Sequence, residues 1–509
     1  MKCKYLTALA LGLWMLPVQA NTLHGCMGSE ECKSMLDAGA DVNVRDDYGC
    51  TPLHNCMDAG VCKLLLEAGA QVDARDNYGH TPLHLADDAE VAQLLIQAGA
   101  DINSTHNGGA SILYSASVRG SADVVRLLLE NGVKTGNLNE LLREVCTMGH
   151  PEVARLLIQA GADARTADRD GNTLLHYACG YPNYRDSVPG LPEPRKQLVE
   201  MLLQAGCSPH ARNKYGNTPL HTACSTDGNP GCVEVLLLAG AEVSATGCYL
   251  RNEGGSCEST AKIVAEGEGA TPLHLAVWNR VHTCIPALLA AGAETQAKDS
   301  KNRSAMDLVK EKPAAGDGAY LELLKDASEQ HLIRYATERD AAALLRILHK
   351  RGVNLSQPLD AKQNTALHLV FSAETAGLLL ELGADVHAEN KAGQAPLNRT
   401  INADIARLLL SHGAQVNKAD ASGNTVLNRV LRFRDAELIQ LLLEAGAELN
   451  PRHAMPPLHT ACMQGNLPVV KLLLNKGADP QLKCPRGRTA LDYARAHQHH
   501  ALIELLKSE

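Results

Sequence analysis

Leu64 opens the phrase LLLEAGAQVDARDNYGHTPLH, and its two halves recur from one end of the chain to the other. The first half returns as MLDAGADVN from Met35, LLIQAGADI from Leu94, LLIQAGADA from Leu156 and LLLEAGAEL from Leu441. The second half returns as TPLH at Thr51, Thr81, Thr218 and Thr271, with variants at Thr173, Thr365, Ala395, Thr425 and Thr489. Most successive Gly-Ala pairs are 29 to 34 residues apart. A period of that size marks a stacked array rather than a single core, and 509 residues would overfill one core.

Each unit has a physical reading. Thr is a helix N-cap, and Pro at the first helical position gives up an N–H that has no partner there anyway. A short helix and a polar turn follow. A second helix carries the Leu stripe and ends at a glycine that takes a left-handed conformation. The D-x-x-G segment makes a turn, or finger, before the next Thr. No unit can bury its apolar face alone, so neighbours must stack. The expectation is an all-α solenoid of helix-turn-helix units with β-turn fingers.

These residues resemble the ankyrin repeat family, over essentially the whole chain from Thr22 to Glu509, in about fifteen units. The resemblance implies an extended concave surface, with protein binding through the finger tips and the exposed face of the first helices. It also implies that the TPLH histidine is a structural hydrogen-bonding residue between neighbouring turns. Several units, including those at Thr51, Thr81 and Ala395, lack about three residues between the helices, which predicts a trimmed first helix. Inserts fall near 180–196 and 246–268, the second lengthening a finger. The domain expectation is a block over 21–310, a loosened joint over 311–330 and a block over 331–509 with a polar C-terminal cap.

The first twenty residues, MKCKYLTALALGLWMLPVQA, read as a secretory signal: two lysines, an apolar run, then Pro17 and small residues before a cleavage point after Ala20. The run is too short to span a bilayer, and no later segment is apolar enough to do so. The expected location is the periplasm or the medium. An exported chain can use disulfides, and 15 of its 16 cysteines remain once Cys3 leaves with the signal.

In the short units Cys26 and Cys32, and again Cys56 and Cys62, occur together or are replaced together by small residues. One member lies near the end of the first helix and the other near the start of the second. Cys26–Cys32 and Cys56–Cys62 are therefore expected as staples within a unit. Cys224 and Cys232 sit at similar places in a longer unit and are expected to pair likewise. Cys248 and Cys257 bracket the inserted finger and are expected to hold it shut. Cys146, Cys179 and Cys462 read as buried small residues, since first helices of neighbouring units lie too far apart for a bridge between them. Cys50, Cys207, Cys284 and Cys484 carry no assignment.

Leu23-His24-Gly25-Cys26 has the outline of a lipid-attachment site, but its Leu-His recurs in units with no such role. His24 with Cys26, or His54 with Cys56, has the makings of a metal site, against which stands the structural role of the repeat histidine. There is no Cys-x-x-Cys, phosphate loop, nucleophile elbow or zinc-helix motif. His497, His499 and His500 read as part of a solvated cap. Neither a cofactor nor a metal nor a small-molecule substrate is called for. Aromatic content of 3% and a net charge of −9 argue against nucleic acid and leave room for a basic protein or peptide partner.

The contact candidates are the finger tips: Asp46, Asp47 and Tyr48; Asp76, Asn77 and Tyr78; Arg169 and Asp170; Asn213, Lys214 and Tyr215. Three functions compete. One is a non-enzymatic, exported, protein-binding scaffold. The others are a secreted factor acting on a host or competitor protein, and an enzyme or metal carrier that uses the inserts.

Overall fold

The computed structural model describes residues 23–26, 28–180, 192–225, 229–253, 262–265, 268–311, 318–433, 435–451 and 455–508. The signal segment, most of the first insert and Cys257 lie outside them. The chain divides into two compact units, Met1–Leu288 with Ala293–Ala314, and Leu289–Gly292 with Ala315–Glu509.

Each unit is a stack of antiparallel helix pairs. In the first, representative pairs are Pro82–Leu85 with Ala89–Gln97, Ile112–Arg119 with Ala122–Glu130, and Pro219–Ser225 with Pro230–Leu238. In the second, Ala366–Leu369 pairs with Ala373–Glu381, Pro396–Arg399 with Ala403–Ser411, and Pro457–Gln464 with Leu467–Asn475. First helices pack on first helices of the next pair, and second helices on second helices. Leu65, Leu95, Leu128 and Leu157 of the Leu stripe are fully buried in the first unit, as are Leu379, Leu409 and Leu442 in the second. Truncating any one of them to Ala should cost about 2–5 kcal/mol.

The short units are short where expected. Pro52–Asn55, Pro82–Leu85, Ala366–Leu369 and Pro396–Arg399 are single turns of 4 residues, against 8 in Ile112–Arg119. The second helices keep 9 residues in both kinds. Gly69 ends its helix at φ +89°, and its amide returns to Leu66 O at 3.1 Å.

Among the described residues one paired-strand element lies outside the helical scheme. Within the second insert, strands Leu250–Glu253 and Lys262–Ala265 pair antiparallel, Leu250 opposite Ala265 and Glu253 opposite Lys262. A bridge between Gly247 and Ala270 closes the base of this hairpin. The insert thus extends a finger, as its position between two units predicts. Among the described residues no helix is long and apolar enough to cross a membrane.

Candidate functional site

The fingers owe their shape to one side chain each. Asp46 Oδ1 accepts from the amides of Tyr48 and Cys50 at 2.9 and 2.8 Å. Asp76 does the same for Tyr78 and His80, and Asn213 for Tyr215 and Asn217. These three residues, expected as partner contacts, each spend one oxygen on the turn. A carboxylate or amide oxygen one bond from the backbone is what such a turn requires.

Neighbouring fingers are joined through their backbones. Asn77 N donates to Tyr48 O at 3.0 Å and Asn107 N to Tyr78 O at 2.9 Å, while the Asn77 and Asn107 amides reach Asp47 O and Asn77 O. Arg45 spans the same step, donating to Gly49 O at 2.7 Å and Arg75 O at 2.6 Å. In the second unit Lys391 N reaches Lys362 O and Ala421 N reaches Ala392 O, both at 2.9 Å. Gly49 marks how close the fingers come. Its φ is +76°, and a Cβ there would lie 2.5 Å from Asn77 Oδ1.

Behind this edge runs a second ladder, made of the TPLH histidines. His54 Nδ1 accepts from Thr51 N at 3.0 Å, and its Nε2 faces His80 O in the next finger at 3.1 Å. His176, His221, His274, His368 and His459 likewise reach Asn217 O, Ala270 O, Arg303 O, Gln394 O and Arg488 O. Except at His459, whose Nδ1 has no partner because Pro456 lacks an N–H, the acceptor role of Nδ1 fixes the tautomer with its proton on Nε2. Burial pushes these rings below the usual histidine range, His221 down to about 4. Where Asn replaces His the link survives: Asn398 Nδ2 donates to Lys418 O at 2.9 Å and Asn428 Nδ2 to Met455 O at 2.7 Å. His84 breaks the rule. Its buried Nε2 has no partner, and its ring packs beside His80 and His106.

His24 obeys the rule, with Nε2 2.9 Å from Cys50 O. The histidine of Leu-His-Gly-Cys is therefore held by the next finger, which agrees with the structural role implied by the repeat. Among the described residues no group of three or more His, Cys, Asp and Glu side chains is placed to hold a metal ion.

With the capping residues subtracted, the tip candidates divide cleanly. Asp47, Tyr48, Asn77, Arg169 and Lys214 are exposed, while Tyr78, Asp170 and Tyr215 are half-buried. Lys214 holds Asp170 of the preceding finger at 2.8 Å and lies 4.9 Å above the Tyr215 ring. The stack thus aligns the outward tip residues along one edge, but it does not gather all the candidates into one site.

A second surface carries no motif. The chain has two phenylalanines, and both are exposed: Phe371 by 77% and Phe433 by 58%. Each lies in the turn between the two helices of its unit, at the opposite end of the pair from the finger. Ile401 occupies the same turn in the unit between them, and Met57 the equivalent turn in the first compact unit. Aligning these turns, rather than the helices, is the step that would have found the row.

All fourteen described cysteines are thiols. Within the short units the expected partners meet, Cys26 with Cys32 and Cys56 with Cys62, through hydrogen bonds between the thiols. Burial and the neighbouring thiol push Cys32 up to about 11. In the longer units the expectation has to be corrected. Cys232 meets Cys179 of the preceding unit, and Cys224 meets Cys284 of the following one, so the expected Cys224–Cys232 contact is replaced.

The reason is angular. Cys56 lies three residues after the motif leucine, and Cys224 lies four. On the second helix, Cys62 is four residues past its N-cap Asp58, while Cys232 is three past Asn229. One residue is about 100° of helix rotation, enough to turn each thiol from its own unit to the neighbour. Cys248, buried, accepts no such partner among the described residues; its amide donates to Asn217 Oδ1 at 2.8 Å, and its expected partner Cys257 lies outside them.

The family description "Ankyrin repeats (3 copies)" matches residues 23–106, 112–194, 145–247, 193–299, 371–453 and 453–509. Among curated proteins, the mouse B-cell lymphoma 3 protein homolog is 27% identical over 248 residues, 47% of this chain and 42% of that protein. The Arabidopsis thaliana E3 ubiquitin-protein ligase KEG is 26% identical over 387 residues, 74% of this chain and 19% of that protein. The Caenorhabditis elegans E3 ubiquitin-protein ligase hecd-1 is 39% identical over 79 residues, 15% of this chain and 3% of that protein. The chain spans less than half the length of each of these relatives.

Proposed function

Because the chain belongs to the ankyrin repeat family, we propose that it is an exported, non-enzymatic scaffold that holds a protein partner along its finger edge. Ankyrin repeats are interaction modules, and the repeat region brings no catalytic chemistry of its own. The observation that carries the reading is the division of labour at the fingers. One side chain of each tip is spent on the turn, and the next one or two stand outward on a backbone ladder that fixes their spacing. Preorganised side chains cost little entropy when a partner binds. Tyr48, exposed and following Asp46 and Asp47, has the chemistry of an interface anchor.

The apolar turns of Phe371, Ile401 and Phe433 favour a second contact on the C-terminal unit, with an apolar stretch of the same kind of partner. Export rests on the three-part N-terminal signal and the cysteine content.

Fractionation and capture test the reading together. A tagged protein should be recovered from the periplasm and should retain a partner that is lost from D47K/Y48S/K214E but kept by K63E, a change on an exposed second-helix position. Recovery in the cytosol refutes export. Recovery in the medium favours the reading as a secreted factor. Equal retention by both variants refutes the finger edge as the contact.

A further inference from the structure

Four cysteines in the middle of the first compact unit form two thiol contacts of one kind. Cys179 caps the C-terminal end of helix Leu174–Ala178, and Cys232 is three residues past the N-cap of Pro230–Leu238, in the next unit. Cys224 is the next-to-last residue of helix Pro219–Ser225, and Cys284 is three residues past Val281, the cap that begins the second helical segment of the unit after that. Each contact therefore joins the end of a first helix to the start of the following unit's second helix. All four side chains are buried, and in each pair one thiol hydrogen-bonds the other.

Elsewhere the same two positions hold Ser117 with Val153 and Cys462 with Leu502. Packing therefore accepts other residues, and cysteine fills both positions only at these two adjacent steps. The steps are also the places where the array is interrupted. The first insert follows Cys179 directly, and the hairpin Leu250–Ala265 lies between Cys232 and Cys284. Repeat stability is carried by contacts between adjacent units, so a covalent link at these steps would act on the interfaces beside the inserts.

We infer that oxidation joins Cys179 to Cys232 and Cys224 to Cys284, as two interleaved disulfides that clamp three consecutive units across the insert-bearing part of the array. Each bond forms as two thiols give up two protons and two electrons. The oxidant is a disulfide donor, small-molecule or protein, whose own S–S bond is cleaved through a mixed disulfide and leaves as two thiols. Buried sulfurs are out of a donor's reach in the closed stack, so the bonds form during folding or on local opening of the units. Once closed over, they resist reduction by the same shielding. This pairing deepens the export reading, which supplies the oxidising compartment, but its chemistry can be tested apart from it.

The purified full-length chain is refolded with reduced and oxidised glutathione, blocked with an alkylating reagent, digested without reduction and mapped by mass spectrometry. The expected products are a Cys179 peptide linked to a Cys232 peptide and a Cys224 peptide linked to a Cys284 peptide, each lighter by two hydrogens per bond. In C179A/C232A the Cys224–Cys284 link should persist, and the reverse should hold for C224A/C284A. A Cys224–Cys232 link, or alkylation of all four sulfurs in the refolded protein, overturns the inference. Linked peptides after refolding, with free thiols in protein taken from the source cell, uphold the pairing and refute export instead.

Discussion

His221 offers the sharpest test of how the array is held together. Its ring is fully buried, takes hydrogen bonds at Nδ1 from Thr218 N at 3.1 Å and faces Ala270 O with Nε2 at 3.1 Å. Replacing it with Leu keeps the apolar bulk and removes both links. The Thr218 amide is then buried without a partner, at about 1–3 kcal/mol. The Ala270 carbonyl keeps a bond from Gly247 N at 2.8 Å, so its loss is about 1 kcal/mol. His221→Leu should therefore weaken this step by about 2–4 kcal/mol.

His221→Asn should cost much less. Asn398 already stands at this place in another unit, with Oδ1 accepting from Ala395 N at 3.0 Å and Nδ2 donating to Lys418 O at 2.9 Å. A second difference separates the variants from the wild type. Burial, helped by the positive charge of Arg212, lowers His221 from 6.5 to about 4. The folded state then binds fewer protons than the unfolded chain in that interval. The contribution is full above pH 6.5 and is lost as pH falls towards 4, on the order of 3 kcal/mol in all.

Repeat arrays open locally, so the assay is native-state hydrogen exchange in the peptide over residues 213–220, at neutral pH and at about pH 5. The expected order of protection is wild type, then Asn, then Leu, with a smaller acid loss in both variants. Equal damage from Asn and Leu, or an undiminished acid loss in His221→Asn, would refute the ladder as the link between units.

Other outcomes follow from the same geometry. Gly49→Ala places a Cβ on a backbone at φ +76° and against Asn77, so it should destabilise the first fingers by about 1–3 kcal/mol, read as increased proteolysis of the N-terminal units. Oxidised protein should resist urea better than reduced protein, and C179A/C232A should remove part of the difference. The chain-entropy value for a loop of that span is about 4 kcal/mol, less any strain. Phe371→Ser and Phe433→Ser change exposed side chains, so they should shift stability by less than about 0.5 kcal/mol, measured by thermal unfolding, while weakening partner retention.

Much of the fold is legible in the sequence because each repeat position answers to a local need. Thr and Pro begin a helix, glycine ends one, and Asp or Asn shapes a turn, whatever the neighbours are doing. The trimmed first helices could be read for the same reason, since deleting residues between two fixed motifs leaves only one place for the loss. Less of the contact surface is legible. Asp46, Asp76 and Asn213 look like contact residues by type and position, yet an oxygen of each points back into the turn, and only the coordinates of the finger distinguish them from Asp47 and Tyr48. The hairpin over Leu250–Ala265 was visible as an insert, but its strand pairing was not.

The sequence by itself determined the unit, its period, the direction of stacking and the residues that cap each helix, because these are set by backbone hydrogen bonding over a few neighbouring residues. Tertiary structure decided which cysteine faces which. Cys224 and Cys232 are eight residues apart along the chain, whereas Cys224 and Cys284 belong to different units. A shift of one residue on each helix turns a thiol by about 100° and selects the distant partner over the near one. Stacking also carried Phe371, Ile401 and Phe433 into one row. A stack brings equivalent positions of successive units side by side, and proximity of that kind is a property of the array rather than of any stretch of sequence.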